Sequence, residues 1–345
     1  MALSLQQRLE ASWATRGPLA WLLLPLSLLY RLALLLRRSW AGAGLRRAER
    51  LPVPVVVVGN LVIGGAGKTP AVMAVVALLR RHGWTPGVVS RGHGRRGDAL
   101  QAVARETAAS VCGDEPLLIH LRTGAPVQVG RDRPAAGREL LRRHPEVDIV
   151  VSDDGLQHTR LARDAQLIVF DERGAGNGLL LPAGPLREPL APTAPPRSVV
   201  VYNAAAASTA WPGTLAQRGL AGATPLAAWW AGEAASLATL AALAGRPLLA
   251  VAGVARPGRF FAMLRAHGLR IDELALPDHF PFHSMPWPAG TPDVVVTEKD
   301  AVKLPPETPL GATRVWVATL DFALAPAGET ALCRLLPRPP GPPEE

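Results

Sequence analysis

Three lysines, Lys68, Lys299 and Lys303, stand among 37 basic residues. In a chain that otherwise uses arginine, a compact ammonium on a flexible stem points to work that a planar guanidinium does not perform. Lys68 falls at the end of the run Gly59-Asn60-Leu61-Val62-Ile63-Gly64-Gly65-Ala66-Gly67-Lys68-Thr69. Glycines let backbone N–H groups converge on phosphate oxygens, and a helix N-terminus adds a positive dipole end. Gly64, Gly65, Ala66 and Gly67 would therefore cradle phosphates. Lys68 would reach the β- and γ-phosphates of a nucleotide, and Thr69 would offer its hydroxyl to Mg²⁺. The spacing departs from G-x4-G-K-[ST]: the first glycine should fall at position 62, which is Val62. Gly59 lies earlier, which implies a longer loop; a chance glycine-rich turn is the alternative.

A second candidate is the acidic pair Asp153-Asp154, after the apolar run Val147 to Ser152. A P-loop fold places its Mg²⁺ carboxylate at the end of such a strand. Taken alone, two acids after a strand are as often a simple turn. Asp114 precedes Glu115-Pro116 and an apolar run, so capping a helix is one reading of it. His279 lies among prolines, where a lone histidine is ordinarily solvated.

These residues need a scaffold. Val53 to Val58 is β-branched and short, the pattern of a strand buried on both faces in a parallel sheet. A helix over Pro70–Arg81 follows the GKT, which supplies the strand–loop–helix context that a P-loop requires. Gly87 to Gly92 reads as a strand entering a basic glycine loop, His93 to Gly97. Further strands are expected at Ala165–Asp171, Ser198–Tyr202, Leu248–Ala252 and Asp293–Val296, with a helix at Arg259–His267. The expected fold is α/β: a P-loop NTPase-like, doubly wound parallel sheet domain over 41–203 and a smaller α/β domain over 225–330. A featureless Ala/Gly-rich linker over 204–224 would join them. Residues 1–40 form a membrane-associating segment and 331–345 a Pro-rich tail. Pro182 to Arg197, with six prolines, reads as a connecting segment. The two-domain division puts Asp114 and His279 on opposite sides of a cleft, so closure would be needed to assemble them. The Thr297-Glu298-Lys299-Asp300 loop is open to three readings: nucleotide-base recognition, capping or phosphate contact.

Apolar residues make up 48% and charged residues 19% of the 345, which excludes wholesale disorder. Two cysteines, Cys112 and Cys333, exclude a disulfide scaffold and a Cys-rich zinc site and suit a reducing compartment. The net charge of +9 favours anionic partners. Aromatic residues are few and arginines dispersed, so no stacking platform for nucleic acid is visible. Residues 18–36 form an apolar stretch broken only by Arg31. As a helix it would span about 28 Å, close to a hydrocarbon core of about 30 Å. It reads as a secretory signal with a weak Ala41-Gly42-Ala43 cleavage site, a spanning helix, a buried core helix, or a helix lying in the membrane interface. The interfacial reading fits best. Trp13, Trp21, Tyr30 and Trp40 would then sit at headgroup level, and Arg37, Arg38, Arg46 and Arg47 would meet anionic lipid.

The segments VGNLVIGGAGKTP, VVSRGHGRR, GDEPLL, VGRDR, VSDDGLQH, LLPAGPLREP, GVARPGRF, PDHFPF and TEKDAVK occur in this order. Together they resemble the tetraacyldisaccharide 4′-kinases of lipid A biosynthesis, from about residue 10 to residue 325. The resemblance implies an ATP- and Mg²⁺-dependent enzyme that phosphorylates the 4′-hydroxyl of a tetraacyl glucosamine disaccharide 1-phosphate. Its place would be the cytoplasmic face of the bacterial inner membrane. The family loop G-N-x-x-x-G-G-x-G-K-T also accommodates Val62. By the same resemblance Lys68 and Thr69 match the nucleotide loop, and Asp153 and Asp154 the acidic pair. Asp114 matches the proposed catalytic base and His279 its partner. Gln157, His158, Arg187 and Glu188 match further active-site positions, as does either Arg131 or Arg133. His93 stands where a tyrosine is common. An imidazole beside a carboxylate is one way to hold and tune a general base.

Two other functions compete with a sugar-lipid kinase. One is a P-loop GTPase or ATPase acting as an assembly or chaperone factor at the membrane. The other is a basic membrane-associated binding protein without catalysis. Hydrolysis indifferent to lipid would mark the first of these.

Overall fold

The computed structural model describes residues 9, 11–42, 48–95 and 97–340, without the side chains of 38 and 40–42. Arg46 and Arg47, the side chains of Arg38 and Trp40, Arg96 of the basic loop, and Ala43 of the cleavage-site reading lie outside the described residues, as does the end of the tail. The strands are β1 Val55–Gly59, β2 Pro86–Ser90, β3 Gln101–Val103, β4 Val127–Val129, β5 Ile149–Asp153, β6 Ala165–Asp171, β7 Ser198–Asn203, β8 Thr214–Pro225, β9 Leu248–Ala252, β10 Ile271–Ala275, β11 Asp293–Thr297 and β12 Arg314–Leu324. The helices are α1 Pro18–Gly42, α2 Lys68–Arg81, α3 Ala109–Cys112, α4 Asp114–Thr123, α5 Arg133–Arg143, α6 Leu226–Ala231, α7 Leu237–Ala241, α8 Pro257–Ala266, α9 Glu298–Ala301 and α10 Pro326–Leu335.

The chain divides into two compact units. The first comprises Met1–Val89, Asp132–Ala216 and Leu324–Glu345. Its centre is a parallel sheet in the order β2-β5-β1-β6-β7. Every residue of β1 and β5 is buried, as befits strands covered on both faces. Helix α2 turns Ala71, Val72, Val75, Val76, Leu78 and Leu79 inward, a helical stripe facing the sheet. Because β1 lies between β5 and β6, the chain leaves it at a point where strand order reverses. The crevice beyond the carboxyl ends of such strands is where open α/β sheets bind ligands. Those ends carry the glycine loop on β1, Asp153 on β5, Asp171 on β6 and Asn203 on β7.

The second unit comprises Ser90–Arg131 and Gln217–Ala323. Strands β10-β9-β11-β12 form a parallel sheet, and β3 pairs antiparallel with β4. Leu248, Ala250 and Ala252 of β9 pack with Phe260, Phe261 and Leu264 of α8 and Val295 of β11.

Several expected boundaries move. Residues 90–131, placed by sequence in the 41–203 domain, belong to the second unit, so Asp114 and His279 share one unit instead of facing each other across a cleft. The 204–224 segment is no featureless linker, since most of it forms β8. Its small side chains mask the strand pattern that bulky alternation would have signalled. The tail expected from 331 begins inside α10, whose Leu332 is buried. Pro182 to Arg197 does not connect domains; it lies wholly within the first unit. Its Leu186 pairs with Val62.

Helix α1 is anchored in the first unit along one side. Ser27 Oγ donates to the Leu180 carbonyl and accepts from the Ala183 N–H, each at 2.9 Å. Tyr30 donates its hydroxyl to the Arg187 carbonyl at 2.8 Å, and Leu34 joins the core. Just before the helix, Trp13 is buried and donates from Nε1 to the Pro182 carbonyl at 2.9 Å. Trp13 and Tyr30 are therefore internal ties instead of headgroup anchors. Trp21, Leu22, Leu26, Leu28, Leu29, Leu32, Leu35 and Leu36 are exposed. The segment Pro18–Arg37 is long and apolar enough to cross a membrane, with a mean hydropathy of 2.0.

Candidate active site

The glycine loop is built by two left-handed glycines and by neighbours that crowd them. Gly64 and Gly67 have φ of +93° and +94°, values that side-chain-bearing residues avoid. A Cβ on Gly67 would lie 2.3 Å from Asn203 Nδ2, which donates to the Ala66 carbonyl at 3.0 Å. Val62 is fully buried and bridges antiparallel to Leu186, while the Ile63 N–H donates to the Pro185 carbonyl at 2.9 Å. A side chain at position 62 thus ties the loop down, which explains why a glycine is not needed there. Arg173, paired with the buried Asp171, donates to the Ile63 carbonyl at 3.1 Å.

Helix α2 begins at Lys68, two residues earlier than its sequence pattern suggested, with Gly67 as N-cap. The helix end therefore opens directly onto the loop, the arrangement that attracts phosphate. Lys68 Nζ lies 3.4 Å from Asn60 Oδ1 and 3.6 Å from Asp154 Oδ2. Arg187 donates from Nη1 to both Asp154 oxygens, at 2.9 and 3.0 Å, and to Gln157 Oε1 at 3.3 Å. Gln157 in turn donates to the Asn60 carbonyl at 3.2 Å and to Glu188 Oε1 at 3.0 Å. Burial pushes the Asp154 carboxyl up. Lys68, then Arg187 and Arg133, outweigh that and hold it below the ordinary carboxylate range. Asp154 takes the left-handed conformation, φ +48°.

Asp153 is the last residue of β5 and is buried. Arg133, also buried, donates to its carbonyl at 2.9 Å. Arg131 instead is exposed and pairs with Asp98 at 2.7 Å. The two arginines that spacing left equivalent are thus distinguished: Arg133 stands beside the acidic pair in the first unit, and Arg131 belongs to the second. His158 is half-buried, and its carbonyl accepts from Arg163 at 3.1 Å.

Thr69 and Asp153 carry oxygens of the hard kind that Mg²⁺ takes alongside water and nucleotide phosphates. No group of three or more His, Cys, Asp or Glu side chains suited to a metal exists among the described residues. A nucleotide-borne Mg²⁺ does not require one, so the donor set fits.

In the second unit, Asp114 opens α4 and is buried. Its Oδ1 accepts from the Glu115 N–H at 2.9 Å, but the N-cap is Gly113, so Asp114 does not cap the helix as its sequence context suggested. Its Oδ2 takes the Nδ1 side of His279 at 2.8 Å. Burial pushes Asp114 up, but the His279 hydrogen bond and the Lys299 and Lys303 charges hold it below its ordinary value. The His279 imidazole is raised, chiefly by the Asp114 hydrogen bond, against burial and Lys299. His279 has φ of +60°, and its N–H donates to the Gly253 carbonyl at 3.2 Å. His93 lies with its ring centroid 5.6 Å from that of His279. Neither Asn60 nor Asn203 was marked by the motifs as functional. Asn60 sat inside the quoted loop, and Asn203 ends a strand beside β6, but nothing in spacing alone reveals that they brace Lys68 and Ala66.

Strand, left-handed glycine loop, GKT helix and acid-ended neighbouring strand define a P-loop nucleotide-binding protein. A family model described as tetraacyldisaccharide-1-P 4′-kinase matches residues 19–337. A tetraacyldisaccharide 4′-kinase of Methylibium petroleiphilum is 58% identical, covering 98% of this chain and 96% of its own. One of Leptothrix cholodnii is 53% identical, covering 96% and 97%. A crystal structure of LpxK from Aquifex aeolicus in complex with ATP is similar with a TM-score of 0.74 and 26% identity, over 92% of this chain and 99% of that one. The chain belongs to the tetraacyldisaccharide-1-P 4′-kinase family.

Proposed function

We propose that the protein transfers the γ-phosphoryl group of ATP to the 4′-hydroxyl of a tetraacyl glucosamine disaccharide 1-phosphate, a step of lipid A biosynthesis. The family match over nearly the whole chain carries this reading. The geometry of the loop supports it, because Lys68 stands at the first residue of α2 beside a positive-φ glycine cradle.

Phosphoryl transfer needs the γ-phosphate held, its charge neutralised and the attacking hydroxyl oriented or deprotonated. The loop amides from Gly64 to Gly67 hold the phosphates. Lys68, with Arg187 and Arg133 close by, neutralises charge. Thr69 and Asp153 would hold Mg²⁺, which when bound would supply charge neutralisation at phosphate oxygens. Asp154 orients Lys68 and Arg187, and Gln157 and Glu188 fix Arg187 in turn. In the second unit Asp114 accepts the proton of the 4′-hydroxyl, with His279 orienting its carboxylate. A carboxylate held low is fully ionised at neutral pH and so free to accept the proton, as a weaker base than one poised near 7.

The exposed leucines of α1 support a position on the inner-membrane surface, at its cytoplasmic face, where the acylated acceptor would reside. The test is single-turnover transfer from labelled ATP to purified tetraacyl disaccharide 1-phosphate. Label should enter the lipid, and Lys68→Ala and Asp114→Asn should each abolish or strongly reduce it. Wild-type rates in both variants, or ATP consumption indifferent to the lipid, overturn the reading.

A further inference from the structure

Lys299 is the second of the three lysines, and it stands within a cluster of charged side chains. The helix α9 that carries it starts with Thr297 as N-cap, whose hydroxyl accepts from the Asp300 N–H at 3.2 Å. The short helix is pinned by Asp300, fully buried, which accepts from the Gly253 N–H at 3.0 Å and pairs with Lys303 at 3.0 Å. From this fixed base the Lys299 ammonium reaches three groups. Glu115 Oε1 lies at 3.0 Å, Asp278 Oδ1 at 3.6 Å and His279 Nε2 at 3.4 Å.

The last contact has a chemical consequence. An ammonium has only protons to give, so Nε2 of His279 must be the acceptor. A neutral ring with Nε2 unprotonated carries its hydrogen on Nδ1, the nitrogen that faces Asp114 Oδ2 at 2.8 Å. A second proton on Nε2 would set two cations 3.4 Å apart. At that distance like charges disfavour the added proton strongly. The charged and titratable groups around the ring are Asp114 and Glu115 from α4, Asp278 from its own loop, Lys299 and Lys303 from α9 and the turn after it, and His93 from the basic loop. Of these, Lys299 is the cation that opposes protonation of the imidazole, against the Asp114 and Asp278 carboxylates that pull the other way.

We propose that Lys299 is a positioning residue that fixes the protonation state of His279: it donates to Nε2, so the neutral ring presents Nδ1–H to Asp114, and it resists the second proton. Glu115 and Asp278 hold the ammonium in place. Lys299 touches neither substrate nor nucleotide in this role and acts through His279. The inference rests on the reading of Asp114 and His279 as the pair that activates the acceptor hydroxyl.

The decisive measurement uses full-length enzyme labelled with ¹⁵N-histidine, its His279 signals assigned by their loss in His279→Gln. Imidazole nitrogens are followed by long-range ¹H–¹⁵N correlation as pH rises. In wild type the neutral ring should show Nδ1 protonated and Nε2 bare; the opposite tautomer overturns the proposal without any Lys299 variant. In Lys299→Met the titration of His279 should move up by about one pH unit. The acid limb of kcat should move with it, about a tenfold loss on that side per unit. KM for ATP should change less than about twofold, because the nucleotide contacts are untouched. Lys299→Arg should restore most of the profile. A ring titration and kcat profile in Lys299→Met that overlay wild type overturn the proposal. Asp114→Asn at the wild-type rate would instead sink the reading of the base, leaving the tautomer to be judged by its own spectrum.

Discussion

Arg187 sets one nitrogen against both carboxylate oxygens of Asp154, at 2.9 and 3.0 Å, and Asp154 in turn lies 3.6 Å from Lys68. One acid thereby positions two cations at the mouth of the glycine loop. That division of labour separates Asp154 from Asp153, which the sequence presented as an undifferentiated pair. Asp153 ends its strand and is nearly inaccessible, whereas Asp154 turns out through a left-handed residue to meet the cations.

Replacing Lys68 with alanine should lower kcat by about 10²–10³-fold, the range expected for removing one preorganised charge at a transition state. Labelled-phosphate transfer under saturating ATP measures it. Retention of more than about a tenth of wild-type kcat would contradict the role of Lys68.

Asp114→Asn should cost about 10²–10⁴-fold in kcat, the usual share of a positioned base. Because the amide keeps the shape and still accepts from the Glu115 N–H, its thermal stability near neutral pH should change far less than its rate. A scan showing global unfolding alongside the rate loss would assign Asp114 to structure only.

The pH dependence of stability has a definite sign. Asp114 and Asp154 both titrate below their ordinary value in the fold. A carboxyl depressed on folding adds stability that is full above its unfolded pKa and is lost as pH falls through the folded one. The thermal midpoint should therefore decline on acidification below about pH 4, the unfolded carboxylate range. Asp154→Asn should flatten part of that decline, as differential scanning calorimetry across pH would reveal; an unaltered slope would count against the depressed carboxyl.

Gly67→Ala should destabilise the protein by about 1–3 kcal/mol through left-handed strain and should weaken ATP binding. The added methyl would also meet Asn203. Combining it with Asn203→Ala should relieve the clash but not the strain, so calorimetric ATP titration should show partial recovery at most. Full recovery would place the whole cost in the clash.

Arg133→Met should impair transfer far more than Arg131→Ala. The first guanidinium is buried against the Asp153 carbonyl, and the second is exposed on Asp98. Equal losses in the two variants would show that burial misidentifies the functional arginine.

Much of the nucleotide half was legible from residue order. Val55 to Gly59 advertises a buried parallel strand, the glycines announce the turn, and Lys68 stands out in a lysine-poor chain. The strands Ala165–Asp171 and Leu248–Ala252 were readable to the residue because each centres on a short apolar run. The second half was harder for physical reasons. Asp114 and His279 meet although 165 positions separate them, and no local pattern reports such a contact. Residues 90–131 look like a continuation of the first sheet, because their strands are short and their excursion into the other unit leaves no compositional mark. β8 hides among alanines and glycines, and Trp13 and Tyr30 carry the same signature whether they meet lipid or, as here, backbone carbonyls.

The hydroxyl of Tyr30 ends on the carbonyl of Arg187, so the same residue that steadies Asp154 is also moored to the leucine-studded helix. A protein built in this way ties its foot directly to the arginine at the mouth of its glycine loop. If the foot sinks into a leaflet, the height of the nucleotide loop above the lipid headgroups is set by a rod and a strut rather than by a swinging tether, and a greasy sugar need rise only a fixed, short way to be phosphorylated.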